Sequence, residues 1–300
     1  MSALPTAGRL FERFPRFLRR HQLMRAWMAF TGEDPVQLVR IRGDSFGHAD
    51  MSDGFLRLIV IDGDFEVEFF ALADRLLERG GTFLDVGANY GLLSFGLAGR
   101  HGDRVGFHLF EPNPKLLGAI ERTAKLYPSM RLTLNPVAIG EEDGAVRFFF
   151  DACQSGASHI SEGEGDTEVR CLRIDTYLHE RGIERVDMLK LDVEGYELHA
   201  LRGAAEALKA KAIRAVYFEY FEKWLLRVGP PRELIEFLDQ CGYETCFIRG
   251  NDVAARGGYT ATIAAGVAGA GVRALPVRGH AMPPMTDLLA VPKESLAHGR

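Results

Sequence analysis

Between residues 82 and 241, short apolar runs alternate with stretches of helical periodicity. No other feature of the chain narrows its architecture as much. "TFLDV" (82–86) reads as a short buried strand, and residues 91–100 read as a helix. "VGFHLFE" (105–111) is a second strand, followed by a helix over 114–127. "RLTLNPVAI" (131–139) is a third strand, broken by Pro136; "DMLKLD" (187–192) is a fourth, with a helix after Gly195. "IRAVYFEY" (213–220) is a fifth, with a helix over 231–241, and "YETCFI" and "TDLLAV" form a closing antiparallel pair. This rhythm predicts an α/β fold whose largely parallel sheet is covered by helices on both faces. Right-handed crossovers then bring the carboxyl ends of the parallel strands to one rim, where such sheets bind ligands.

Two inserts interrupt the rhythm. Residues 144–174 read as two strands around a polar Gly/Ser loop, and the Ala/Gly-rich stretch within 251–280 reads as a flexible connector. Residues 1–80 form an N-terminal extension expected to pack on the main domain, 81–295. Its start, "GRLFERFPRFLRRHQLMRAWMAF", carries six arginines among Phe, Leu and Trp. That composition suits a docked helix with a solvated face, or a weak contact with an anionic membrane surface. "GFLRLIVIDGDFEVEFFALADRLLERG" continues as strand, turn and helix.

The loop after the first strand reads Asp85-Val86-Gly87-Ala88-Asn89-Tyr90-Gly91. Gly87 permits a tight turn, Gly91 lets the next helix start close to the strand, and Asn89 tolerates a left-handed backbone. A dinucleotide site wants G-x-G-x-x-G around a pyrophosphate. Here the pattern is G-x-N-x-G behind an acid, which repels phosphate and attracts an ammonium. S-adenosylmethionine, with an amino group, a sulfonium and a ribose but no phosphate, fits better than NAD. Glu111 ends the second strand, where a carboxylate can bond the vicinal hydroxyls of a ribose. The backbone around Ala138, at the tip of the third strand, is placed to meet the adenine.

With "DVGANYG", "FEPNP", "NPVAIG" and "MLKLDVEGYELHALRGA" in this order, the chain resembles the FkbM-type methyltransferase family over residues 80–250. The resemblance implies the seven-stranded class I methyltransferase sheet, S-adenosylmethionine as cofactor and O-methylation of sugars, glycolipids or secondary metabolites. It also implies cofactor contacts at Asp85, Gly87, Asn89 and Glu111. It names no acceptor.

A hydroxyl is a poor nucleophile, so a general base is expected. Asp192, at the end of the fourth strand, is the first candidate, with Glu194 and Glu197 behind it; a helix cap would explain these acids equally. His159, in the insert, is the second candidate base, and His48 a weaker one. Glu219 and Tyr220 are expected to line the acceptor pocket with Tyr217 and Trp224. Asp192, Glu194 and Glu219 can offer oxygens to Mg²⁺, but their linear spacing is no ligand motif, and no metal is expected.

A formal net charge of −5 argues against nucleic acid as a partner. The four cysteines show no zinc spacing and read as thiols in a reducing compartment. With no run of about 18 apolar residues and no visible secretory signal, a cytoplasmic location follows. An NAD(P)-dependent oxidoreductase and a non-catalytic cofactor-binding or membrane-docking module are the competing readings.

Overall fold

The computed structural model describes residues 30–32, 34–53, 66–151, 154–161, 167–250 and 272–297. The basic N-terminal segment, the strand expected before residue 62 and most of the Ala/Gly-rich stretch lie outside the described residues.

Four strands form the parallel heart of the main sheet, side by side in the order β5 (Arg131–Asn135), β4 (Val105–Phe110), β3 (Gly81–Val86), β10 (Met188–Leu191). Beyond β10 lie parallel β11 (Val216–Phe221), then β14 (Met285–Pro292), antiparallel to β11, and β12 (Tyr243–Gly250), antiparallel to β14. These seven match the expected strands, including the closing antiparallel pair. An eighth, β13 (Val272–Pro276), pairs with β12 at the edge. The expected connector therefore ends in a strand. The third strand also stops short: Pro136 has no N–H for the ladder, and β6 (Ala138–Ile139) pairs instead with β9 (Thr167–Leu172). Together with β7 (Gly144–Phe149) and β8 (His159–Ile160), these make a separate four-stranded sheet.

Alternation along the buried strands feeds two cores. Phe83, Met188, Tyr217 and Leu289 point to the face covered by α1 (Val67–Leu76), α2 (Leu92–His101) and α3 (Pro114–Ala124). Leu84, Leu189, Phe218 and Leu288 point to the face covered by α4 (Ile174–Arg181), α5 (Glu197–Arg202), α6 (Ala205–Lys209) and, after the short α7 (Glu222–Leu225), α8 (Pro231–Gln240). The hairpin of β1 (Val36–Arg42) and β2 (Ser45–Asp50) closes over α2 and α3. There Tyr127 Oη exchanges two 2.7 Å hydrogen bonds with the backbone of Phe46, and the His48 N–H donates to Thr123 Oγ1. No helix among the described residues is long and apolar enough to cross a membrane.

Candidate active site

Strands β3, β4, β10 and β11 end at the rim of a cavity of about 360 Å³. Its floor is the loop after β3. Gly87 (φ 71°) and Asn89 (φ 52°) are both left-handed, and the N–H groups of Gly87 and Ala88 donate to the carbonyl of Phe110. A Cβ on Gly87 would lie 1.9 Å from the carbonyl oxygen of Asp192. Glycine is needed there because β3 and β10 exit so close together. Gly91 (φ 69°) starts α2 against Phe95 and Leu109 and does not line the cavity.

Glu111 sits just past β4, buried, with both carboxylate oxygens seated on backbone: Oε2 accepts from the Asn89 N–H at 2.8 Å and Oε1 from the Asn113 N–H at 2.9 Å. Burial pushes its carboxyl up to about 7, against the pull of those two amides. The following turn is rigid by sequence, since Asn113 caps α3 through the Lys115 N–H and Pro114 opens the helix. Val137, Ala138 and Ile139 complete this end of the cavity.

The insert forms a roof. A single 3₁₀ turn, Ser155–Ala157, covers the cavity with Ser158 and Ile160. Ser155 donates from Oγ to Asn89 Oδ1 (3.0 Å) and from its N–H to the buried Asp53, which also accepts from Tyr90 Oη (2.9 Å). Three distant segments thus meet on one carboxylate. Tyr90→Phe should cost about 1–2 kcal/mol by leaving Asp53 one donor short. An unchanged urea midpoint would show that this bond does not hold the roof.

The opposite end of the cavity, at the tips of β10, β11 and β14, is acidic. Glu66, Asp192, Glu194, Glu219 and Asp287 all face it. Asp85, Lys190 and Tyr217 are register neighbours on β3, β10 and β11, as are Glu219 and Asp287 on β11 and β14. Burial, with Asp192, Glu219 and Glu197 nearby, pushes Glu194 up to about 10; burial, with Asp192, Glu197 and Asp287, pushes Glu219 up to about 9. Glu66, which accepts from Tyr217 Oη at 3.2 Å, is raised by burial to about 7, and Asp287 to about 6. Asp192, Glu194 and Glu219 bring carboxylate oxygens within 4.8 Å of one another. Linear spacing does not group these three, yet the fold does, and such oxygens can hold a divalent cation.

A proton retained on Glu219 in the folded state, against an ordinary carboxyl near 4.5 when unfolded, makes stability fall as pH rises from about 4.5 towards about 9. Glu219→Gln removes that dependence. Without ligand, it should be more stable than the parent at pH 8, and by less at pH 6. Urea melts at both pH values check this, and a pH-independent difference would contradict the buried proton.

Several expected residues lie elsewhere. Asp85 is 1 % exposed and outside the cavity wall; Ser94 Oγ donates to its Oδ2 at 2.6 Å, and Lys190 Nζ lies 3.3 Å from its Oδ1. Its charge is spent inside the fold, so the direct grip on an ammonium expected from sequence is not what this placement supports. Tyr220 is 2 % exposed in the core on the other face of β11, because alternation sends Tyr217 and Glu219 one way and Tyr220 the other. His159 packs on Trp224 and faces Arg227 at 3.3 Å, away from the cavity. His48 stays on the β1–β2 hairpin. Glu197 caps its own turn, accepting from the N–H groups of Val193 and Gly195. Lys190 is the residue that sequence reasoning missed. The signal was a lysine inside the apolar run "MLKL", since a buried strand holds a charge only when it is paired.

Residues 85–245 match the model of the methyltransferase FkbM domain, more than half of the chain. The chain belongs to the FkbM methyltransferase family. Among curated relatives, the 2-O-methyltransferase NoeI of Sinorhizobium fredii is 26 % identical over 160 residues, covering 47 % of this chain and 64 % of that protein. The hexuronic acid methyltransferase AglP of Haloferax volcanii is 24 % identical over 101 residues, 34 % of this chain and 42 % of that one. The crystal structure of an FkbM methyltransferase from Methylobacillus flagellatus aligns with 71 % of this chain and 44 % of its own, at 16 % identity and a TM-score of 0.44. The chain spans less than two thirds of each relative's length. The family uses S-adenosylmethionine.

Proposed function

We propose that this FkbM-family chain transfers a methyl group from S-adenosylmethionine to a hydroxyl of an uncharged sugar or sugar-bearing metabolite. The observation that carries this reading is Glu111. Backbone amides fix both of its oxygens at a strand tip, beside a left-handed glycine loop, and the remaining lone pairs are free to accept from a ribose diol. Gly87, Asn89, Glu111 and Ala138 would hold the cofactor. When bound, S-adenosylmethionine supplies a methyl group on a cationic sulfur, open to attack by an oxygen.

The chain's own work is then to place that oxygen and take its proton. Asp192, whose side chain is 42 % exposed at the end of β10, accepts the hydroxyl proton. Glu219 and Glu194, protonated or ionised, hydrogen-bond neighbouring hydroxyls, and the roof over Ser155 keeps bulk water out. The name of NoeI, a 2-O-methyltransferase, supports an oxygen as acceptor, and that of AglP, a hexuronic acid methyltransferase, supports a sugar-type molecule. The acidic wall argues against a hexuronic acid here, because these acids already push one another's carboxyls up and a sugar carboxylate would add a further negative charge to the same site. This reading includes a reducing, cytoplasmic setting, supported by Cys171, Cys241 and Cys246, which are free and buried. It assigns no role to a metal.

The test has two parts. Calorimetry should show S-adenosylhomocysteine binding and no NADH binding; the reverse would favour an oxidoreductase, and neither would favour a non-catalytic module. Tritium-labelled methyl donor, supplied with a mixed pool of methyl hexopyranosides or of methyl hexopyranosiduronates, should label the neutral pool. Labelling of the uronate pool alone would refute the acceptor class.

A further inference from the structure

Lys190 is 3 % exposed in the middle of β10, a strand otherwise made of Met188, Leu189 and Leu191. A lysine in such a place needs partners for its charge. One carboxylate would suffice, and Asp85, its register neighbour on β3, is 3.3 Å away. Yet the ammonium reaches further. It donates to the carbonyl of Gly87 at 2.7 Å, in the loop beneath the cofactor end of the cavity, and lies 3.4 Å from Asp192 Oδ2. Among the described residues, no other carboxylate facing the cavity is ion-paired. The ammonium thus donates into the glycine loop, to the Gly87 carbonyl and at 3.4 Å to that of Val86, and sits at ion-pair distance from both an internal acid and the acid that faces the acceptor.

We propose that Lys190 is a positioning residue that locks the glycine loop and the Asp192 carboxylate into one unit. Loop geometry and base orientation then change together. The inference rests on the methyl-transfer reading above and on Asp192 as its base.

If Lys190 only neutralised Asp85, removing both charges would restore function. Neutral replacement of a buried ion pair also tends to preserve folding, whereas Lys190→Met alone strands the Asp85 charge. The decisive variant is therefore Lys190→Met with Asp85→Asn, made with and without Asp192→Asn. Affinity for S-adenosylhomocysteine, which needs no acceptor, should fall at least ~10-fold in the double variant because the Gly87 carbonyl loses its donor. The labelled-methyl rate should stay low. Adding Asp192→Asn to that background should lower it less than ~3-fold further, since residues acting as a unit are not additive. Wild-type affinity and rate in the double variant would overturn the proposal. So would an Asp192→Asn effect of full size in both backgrounds, which would leave the methyl-transfer reading intact. An Asp192→Asn rate equal to wild type would overturn the base assignment and this proposal together.

Discussion

Asp192→Asn should lower the rate of methyl transfer by ~10²–10⁴-fold, the usual contribution of a general base. Affinity for S-adenosylhomocysteine should stay within about 3-fold of wild type, since base loss affects the chemical step rather than uniform binding. The argument begins with register. β10 lies between β3 and β11, so its tip is flanked by the glycine loop on one side and by Glu219 on the other. Asp192 is the first residue past β10, and its N–H is tied to the carbonyl of Val86 at 3.2 Å. The backbone is therefore fixed, and the carboxylate projects into the cavity with Lys190 on one oxygen. Asparagine keeps the shape and a hydrogen-bonding oxygen but cannot take a proton. The variant should fold normally, because Glu197, not Asp192, caps the turn. A loss in rate of less than ~10-fold would move the base elsewhere in the acidic wall, with Glu219 and Glu194 next in line.

The strands were legible because buried parallel strands are short apolar runs separated by stretches of helical periodicity. The glycine loop and Glu111 were legible for the same reason: each sits at a strand end, where direction is set by the strand. The acidic wall was legible only in part: Asp192, Glu194 and Glu219 stand at or just past the expected strand ends, whereas Glu66 and Asp287 gave no sign in the sequence. Glu66, Glu219 and Asp287 come from α1's start, β11 and β14, and only the antiparallel return of β14 places Asp287 opposite Glu219. Tyr220 shows a different failure. Within a strand, neighbours such as Glu219 and Tyr220 face opposite ways, so one cavity cannot take both from the middle of the ladder. Asp85 shows a third. Its neighbour in space is Lys190, more than a hundred residues later, and no local pattern reveals that its charge is already matched. The eighth strand escaped because Val272–Pro276 is only five residues long, holds Arg273 and Pro276, and follows an Ala/Gly-rich stretch that gives it no apolar contrast.

Glu111→Ala should weaken S-adenosylhomocysteine at least ~10²-fold, because it removes two charge-assisted hydrogen bonds to the ribose, each worth ~1.5–3 kcal/mol. The same change orphans the N–H groups of Asn89 and Asn113, loosening the loop that supports the rest of the ligand. Glu111→Gln separates the two effects. An amide keeps one acceptor oxygen but turns an NH₂ towards one of those N–H groups, so it should still lose most of the affinity while filling the same volume. Proton linkage adds an independent readout. With its carboxyl raised to about 7 by burial, Glu111 is partly protonated in the free protein at neutral pH. Hydroxyl donors favour the ionised form, so binding should release a proton and tighten as pH rises from 6 to 8. Calorimetry in two buffers of different ionisation enthalpy measures that release, and it should vanish in Glu111→Gln. Release of equal size in wild type and Glu111→Gln would mean that another of the cavity's acids, not Glu111, meets the ligand.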